Sequence, residues 1–394
     1  MAGGEQAWPH EKGDSMKYDV WIRGGTVLDP GRSLEREGDV FVHRGMVVDP
    51  PVDGSAEAEE VIDATGCLVL PGLIDFHTHL YFGGTEIGIE PDAGLLPQGV
   101  TTAVDAGSAG VANYDLFSSS VVARSLVRIK SFLNVSPSGL VTVRYHEDVD
   151  PRYYDPGRVA ELFARHRGEL LGLKIRQSRS IVEALGLEPL RATLHMATPL
   201  GCPVVVHTTD PPGSPGEIAD LLRPGDVFCH VFHGTGRTIL GTDGTILPEI
   251  QKARSRGVVF DAAQGRNNFA FSVAREAIRQ SFLPDVISTD LTARTLYRHP
   301  VFGLPHVMSK YLSLGVPLRD VVAACTTTPA RLLGMVGEIG TLASGACADI
   351  AVFKQVAKRV EFIDTKGERV EGEIVLVPQL TLRAGRVVYR QPTI

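Results

Sequence analysis

The sequence predicts an α/β protein, a (β/α)8 barrel of TIM type joined to a small β-sandwich built from both chain ends. Three observations predict it. Eight apolar strand segments alternate with helical stretches through the middle of the chain, the pattern of parallel βαβ units. Both ends instead carry short alternating strands punctuated by Gly-containing turns. Nearly every middle strand also ends, at its C-terminal side, in a residue that can bind a metal or move a proton, and in such barrels that side is the catalytic face.

The elements follow in chain order. Residues 1–15 are polar, lack the apolar stretch of a signal peptide and are expected to be disordered, with Met16 reading as a candidate natural start. Residues 16–70 form the first part of the sandwich, through YDVWIRGGTVLD and GDVFVHRGMVVD. Residues 71–335 form the barrel. Its strands are LVLPGLIDFH (beginning just upstream), TTAVDAG, IKSFLNVS, LLGLKIR, PVVVHTT, DVFCHVFH, GVVFDAA and DVISTD. Helices fall between them, in EPLRATLHMATPLG, ILPEIQKARSRG and FSVAREAIRQSF. Residues 336–394 return to alternating strands, ADIAVFK, EIVLVPQLTLRAG and RVVYR. Each end alone has too few strands to bury a face, so the two ends are expected to pack together.

Composition narrows the function classes. The 394 residues suffice for a barrel and a smaller domain, and the formal net charge of −7 with scattered basic residues argues against nucleic-acid partners. Five cysteines, an odd number with none close in sequence, argue against a disulfide framework and for a reducing, cytoplasmic setting. No segment approaches the ~20 apolar residues of a membrane helix. The reading is therefore an enzyme with a small-molecule substrate, and a homo-oligomer is compatible with it.

The chemistry lies at the strand ends. His77 and His79 close the first strand, and residues two apart in an extended chain face the same side. Lys174 lies in the apolar fourth strand, where a lone ammonium is costly to bury. Read alone it is a lysine paired with a carboxylate. A neutral amine there can instead take up carbon dioxide, and the resulting carbamate has two oxygens that can bridge two cations. His207 ends the fifth strand. His230 ends the sixth and is preferred to His233, which falls towards the loop. Asp290 ends the eighth, where a carboxylate can bind metal and accept a proton from bound water. Four imidazoles, a carbamate and a carboxylate suit two divalent metal ions, zinc or a similar borderline metal. Two such ions about 3.5–4 Å apart share a hydroxide at neutral pH. Substrate contacts are expected from the loops, with Ser108, Arg176, Arg266, Asn267 and Arg294 foremost and Asp105, Ser136, Ser138, Asp210 and Asn268 behind them. Arg266 or Arg294 could clamp a carboxylate, and Arg176 could instead stabilise the barrel.

With these residues in view, the chain resembles the amidohydrolase superfamily over nearly its whole patterned length. PGLIDFHTHL and GTLASGACADIAVF are typical of it. VDAGSAG, GLKIR, VVVHTTDPPGSPGEIADLLRPGDVFCHVFHG and ISTDL resemble the subgroup of amidohydrolase/deacetylase metallohydrolases, whose members have often been mislabelled dihydroorotases or adenine deaminases. The resemblance implies that His77, His79 and Asp290 hold the more buried metal and His207 and His230 the more exposed one. It further implies that carboxylated Lys174 bridges both and that Asp290 passes the proton to the leaving group. The chain departs from the subgroup at Gln264, where a histidine often stands, and at Thr292 and Ala293, so a relative's substrate does not carry over. Tyr81 stands where a dihydroorotase usually has a carboxylate-gripping arginine. The function implied is a deacylase that cleaves the amide or ester bond of an N-acyl or O-acyl amino or hydroxy acid by metal-bound hydroxide. The alternatives are a cyclic-amide hydrolase or aminopurine deaminase, and a metal-binding scaffold without turnover.

Overall fold

The structure, a computed structural model, describes residues 17–51 and 56–394, so the disorder expected of residues 1–15 lies outside the described residues. The N-terminal part supplies five strands, β1 (Lys17–Asp29), β2 (Leu34–His43), β3 (Met46–Val48), β4 (Glu57–Asp63) and β5 (Leu68–Pro71). Seven parallel strands follow, β6 (Leu73–Thr78), β7 (Val100–Gly110), β8 (Arg128–Asn134), β9 (Leu170–Arg176), β10 (Val204–His207), β11 (Val227–Cys229) and β12 (Val259–Asp261). The chain ends with β13 (Ile350–Ile363), β14 (Arg369–Arg383) and β15 (Arg386–Arg390).

Both chain ends join one sheet, in the order β15-β14-β13-β5-β1-β2-β3 with β4 also on β1. The join is made by β5, which runs parallel to β1 on one side and antiparallel to β13 on the other. Alternation buries one face of these strands, so that Ile22, Val42, Ile62, Val352 and Leu380 share an apolar cluster. The two layers expected of a sandwich are thus parts of one hydrogen-bonded sheet gathered round its own core.

In the second sheet β6 to β12 pair in sequence order, all in parallel. The segment LVLPGLIDFH was expected to be one strand and is two, β5 in the end sheet and β6 in the parallel sheet. Gly72 makes the changeover, where a Cβ would come within 2.3 Å of Thr101 Oγ1. The eighth expected strand, DVISTD, is not a continuous strand. It makes isolated parallel bridges to both edges of the sheet, Val286 to Asp261 and Leu291 to Thr78. The ladder breaks because Thr289 N–H donates to the Asp75 carboxylate, at 3.0 Å, and Asp290 takes a left-handed φ of 52°. Val286 still shares an apolar cluster with Phe76, Val104, Phe132, Val205 and Val259.

The expected helices form at Glu188–Leu200, Pro248–Arg256 and Phe271–Arg279. No described helix is long and apolar enough to cross a membrane, and all five cysteines are free thiols. One feature was not foreseen. β13 and β14 continue past the end sheet as a long hairpin, and Leu376 N–H donates to Ser309 Oγ on the helix Leu304–Ser313 at 2.9 Å. The turn of that hairpin, residues 364–368, reaches the C-terminal side of the parallel sheet, where Thr365 Oγ1 donates to Phe269 O.

Candidate metal centre and substrate cavity

The strand ends bring the predicted residues together. His77 and His79 point the same way from the end of β6, with ring centroids 5.9 Å apart. His230 packs 5.2 Å from His77 and 4.2 Å from His207, measured between ring centroids. Asp290 Oδ1 lies 3.0 Å from His79 Nε2 and 3.7 Å from His77 Nε2. Lys174 is buried, with Nζ 3.4 Å from His77 Nε2. Among the described residues no carboxylate lies within ion-pair distance of Nζ, which removes the simple reading of Lys174 as one half of a salt bridge.

The outer nitrogens of three of the four imidazoles are engaged by the protein. His77 Nδ1 meets Asp261 Oδ2 at 3.2 Å, His79 Nδ1 meets Ser108 Oγ at 2.9 Å, and His230 Nδ1 donates to Ala263 O at 2.6 Å. Each contact orients a ring and leaves Nε2 facing inward. Burial pushes His77, His207 and His230 well below the ordinary imidazole range, so they are neutral and carry a free lone pair. Burial works to raise the Asp290 carboxyl, but the hydrogen bond from His79 and the electrostatic pull of His77, His230 and His79 together outweigh it and hold the group well below the usual carboxylate range. Its other oxygen accepts from Asn268 Nδ2 at 2.9 Å, and Asn268 Oδ1 accepts from Thr209 Oγ1 at 2.9 Å.

This donor set fits a divalent cation. One ligand atom each from His77, His79 and Asp290 lies within 4.8 Å of the others. His230 Nε2 is buried without a hydrogen-bond partner, an unmet acceptor in a polar site. A second group, His77, Cys229 and Asp261, also has ligand atoms close together. It lies on the Nδ1 side of His77, and burial pushes the Cys229 thiol far up, so the thiol keeps its proton 3.7 Å from Asp261. Asp261 thus orients His77.

A cavity of about 520 Å³ opens over the site and reaches His77, His79, Lys174, His207 and Asp290. That volume suits a small molecule. Arg176, Arg266, Asn267 and Arg294, all expected at the substrate, line it. Arg176 is held by Glu147 at 2.6 Å, and Arg294 lies 3.8 Å from Glu86. Ser108 does not line the cavity, since it is fully buried beneath the ring of His79. His233 is fully buried and likewise off the cavity wall.

Sequence reasoning missed three residues here. Asp261 could have been found as a carboxylate at the end of the seventh strand, in GVVFDAA. Thr365 and Lys366 line the cavity from the β13–β14 turn and carried no local signal. The strand and turn geometry also depends on glycine at Gly265, which has a φ of +55°; a Cβ there would lie 2.3 Å from Asp290 Oδ2.

Comparison with known proteins agrees with this geometry. The sequence model of the amidohydrolase family matches residues 60–185 and 303–389. The chain is 37% identical to a deacetylase of Agrobacterium fabrum over 78% of this chain and 75% of that protein. It is 35% identical to a deacetylase of Brucella anthropi over 93% and 90%. A crystal structure described as an adenine deaminase superposes with a TM-score of 0.86 at 26% identity, over 95% of this chain and 100% of that one. One described as a dihydroorotase superposes with a TM-score of 0.83 at 30% identity, over 94% and 98%.

Proposed function

The chain belongs to the amidohydrolase family of hydrolases, and on that premise we propose that it removes the acyl group from a small N-acyl or O-acyl amino or hydroxy acid. The observation that carries the proposal is the convergence of His77, His79 and Asp290 ligand atoms on one buried spot beneath the cavity. The deacetylase relatives favour acyl transfer over ring opening or deamination. Tyr81 adds to this, because it is buried against Phe117 and supplies no cation to the cavity. In this reading residues 285–291 close an eight-segment barrel, and residues 16–70 and 336–394 form the second domain.

His77, His79 and Asp290 would hold one divalent cation and His207 and His230 another, zinc suiting the donor set. When bound, the cations would acidify water and polarise the acyl carbonyl. Lys174 would join them as a carbamate, formed when its neutral amine adds to carbon dioxide with loss of a proton. The absence of a carboxylate partner for its ammonium among the described residues supports that assignment. Asp290 accepts the proton of the attacking water and returns it to the departing nitrogen or oxygen. Asn268 keeps its other oxygen aligned for that exchange.

The test is a screen of zinc-loaded protein against N-acyl amino acids, O-acyl hydroxy acids, hydantoins and aminopurines. Release of a carboxylic acid from the first two classes is expected. Hydantoin opening or ammonia release, with no deacylation, would overturn the reading.

A further inference from the structure

Besides Lys174, four cations line the cavity, Arg176, Arg266, Arg294 and Lys366, against two carboxylates, Asp210 and Asp290. Lys174 belongs to the metal site. Arg176 and Arg294 have Glu147 and Glu86 as partners. Arg266 and Lys366 are the cavity cations with no ion-pair partner among the described residues, and both are exposed to the cavity.

Lys366 comes from the far end of the sequence. It stands at the turn of the β13–β14 hairpin, and that turn is fixed. Asp364 Oδ2 accepts from Phe271 N at 2.9 Å, and Asp364 Oδ1 accepts from Lys366 N and Glu368 N, both at 2.8 Å. Thr365 Oγ1 donates to Phe269 O. The hairpin therefore clasps the strand-end loop that, three residues before Phe269, carries Arg266. Lys366 Nζ donates to Thr235 Oγ1 at 2.8 Å, which leaves two N–H donors for a ligand.

We propose that Lys366, delivered by the C-terminal hairpin, acts with Arg266 to select acyl compounds that bear a free carboxylate, a proposal that rests on the deacylase reading above. Arg266 offers a planar fork and Lys366 a point charge, so together they bind an anion more strongly than a neutral amide of the same shape. The metal-side residues act on the acyl bond, while this pair fixes the other end of the substrate. Specificity for the acid is thus built by two segments, residues 266–268 and 364–368, about one hundred positions apart in the chain.

The experiment uses a panel of N-acetyl amino acids and O-acetyl hydroxy acids, each paired with its neutral carboxamide. Binding to zinc-loaded full-length protein is followed by calorimetry and turnover by acetate release. For at least one pair, the wild type is expected to bind the acid roughly ten- to a hundredfold more tightly than the amide, the span of a charged hydrogen bond. Lys366→Gln and Arg266→Gln should each shrink that ratio, chiefly through KM, and Lys366→Arg should restore part of it. Lys252→Gln, which removes an exposed charge on the helix Pro248–Arg256, should leave the ratio alone. An acid-to-amide ratio near one in the wild type, or one indifferent to Lys366→Gln, would overturn the proposal. Acid-selective binding lost in Lys366→Gln but without acetate release would uphold it and overturn the deacylase reading instead.

Discussion

Gly107 is the surface against which the Lys174 side chain lies. A Cβ placed on Gly107 would stand 2.6 Å from both Cβ and Cγ of Lys174, and Gly107 has a φ of +85°. The stem of the buried lysine therefore takes the space a side chain would need, and the backbone there takes a conformation that favours glycine. Gly107→Ala is expected to cost about 1–3 kcal/mol of stability. It should also lower zinc content by displacing Lys174. Thermal melts with elemental analysis check this, and a variant with unchanged melting temperature and metal content would show that Lys174 has room to spare.

Metal content is expected at two divalent ions per chain, because five candidate ligands reach one cavity floor and the sixth, His230, packs against His77 and His207. Elemental analysis after zinc loading measures it. A single ion per chain would take Lys174 out of any bridging role.

Asp290→Asn should keep much of the metal and lose turnover by ~10²–10⁴-fold, since it removes proton acceptance more than coordination. The amide could still accept from Asn268, so the pocket should keep its shape. Parallel measurement of kcat and zinc content decides the point; near-normal kcat would assign the proton transfer to another group.

Lys174→Ala should lower both metal content and activity. An unmodified ammonium would repel cations and offers no lone pair, whereas a carbamate reverses the charge. Short-chain carboxylic acids should restore part of the activity by taking the vacated place. The decisive observation is density at the lysine tip in a metal-bound crystal, where a bare amine turned away from two well-occupied ions would end the idea.

Lys310 is predicted to make stability pH-dependent. It is buried in the helix Leu304–Ser313, and its Nζ donates to Pro300 O at 2.9 Å and Ile363 O at 3.0 Å. Burial pulls its pKa from 10.5 to about 7, with Asp364 opposing. Between those values the unfolded chain holds a proton that the folded chain has released. The penalty is therefore full below about pH 7 and fades as pH rises towards 10.5. Urea unfolding at about pH 6 and about pH 9.5 should show the wild type gaining on Lys310→Met at the higher pH. An equal gap at both would mean that the two carbonyls keep the ammonium charged.

Legible from the amino-acid sequence were the two strand-rich ends, seven of the parallel strands, and the placement of His77, His79, His207 and His230 at or just past strand ends, of Lys174 within the fourth parallel strand and of Asp290 at the end of the eighth segment. These are local properties. A period-2 pattern buries one face of a strand, and a polar residue closing an apolar run has to stand at its end. Tertiary structure decided what depends on long-range contact. Asp261 orients His77 across 184 positions, and Ser108 turns to His79 rather than to the cavity. Gly72 divides one apolar run between two sheets because Thr101 leaves no room for a Cβ there. The eighth segment loses its regular ladder to the Asp75 carboxylate, 214 positions away. Lys366 enters the cavity only because Asp364 and Thr365 anchor the hairpin on Phe271 and Phe269. No period in the sequence encodes such pairings, since each is set by the distance between segments after the chain has closed on itself.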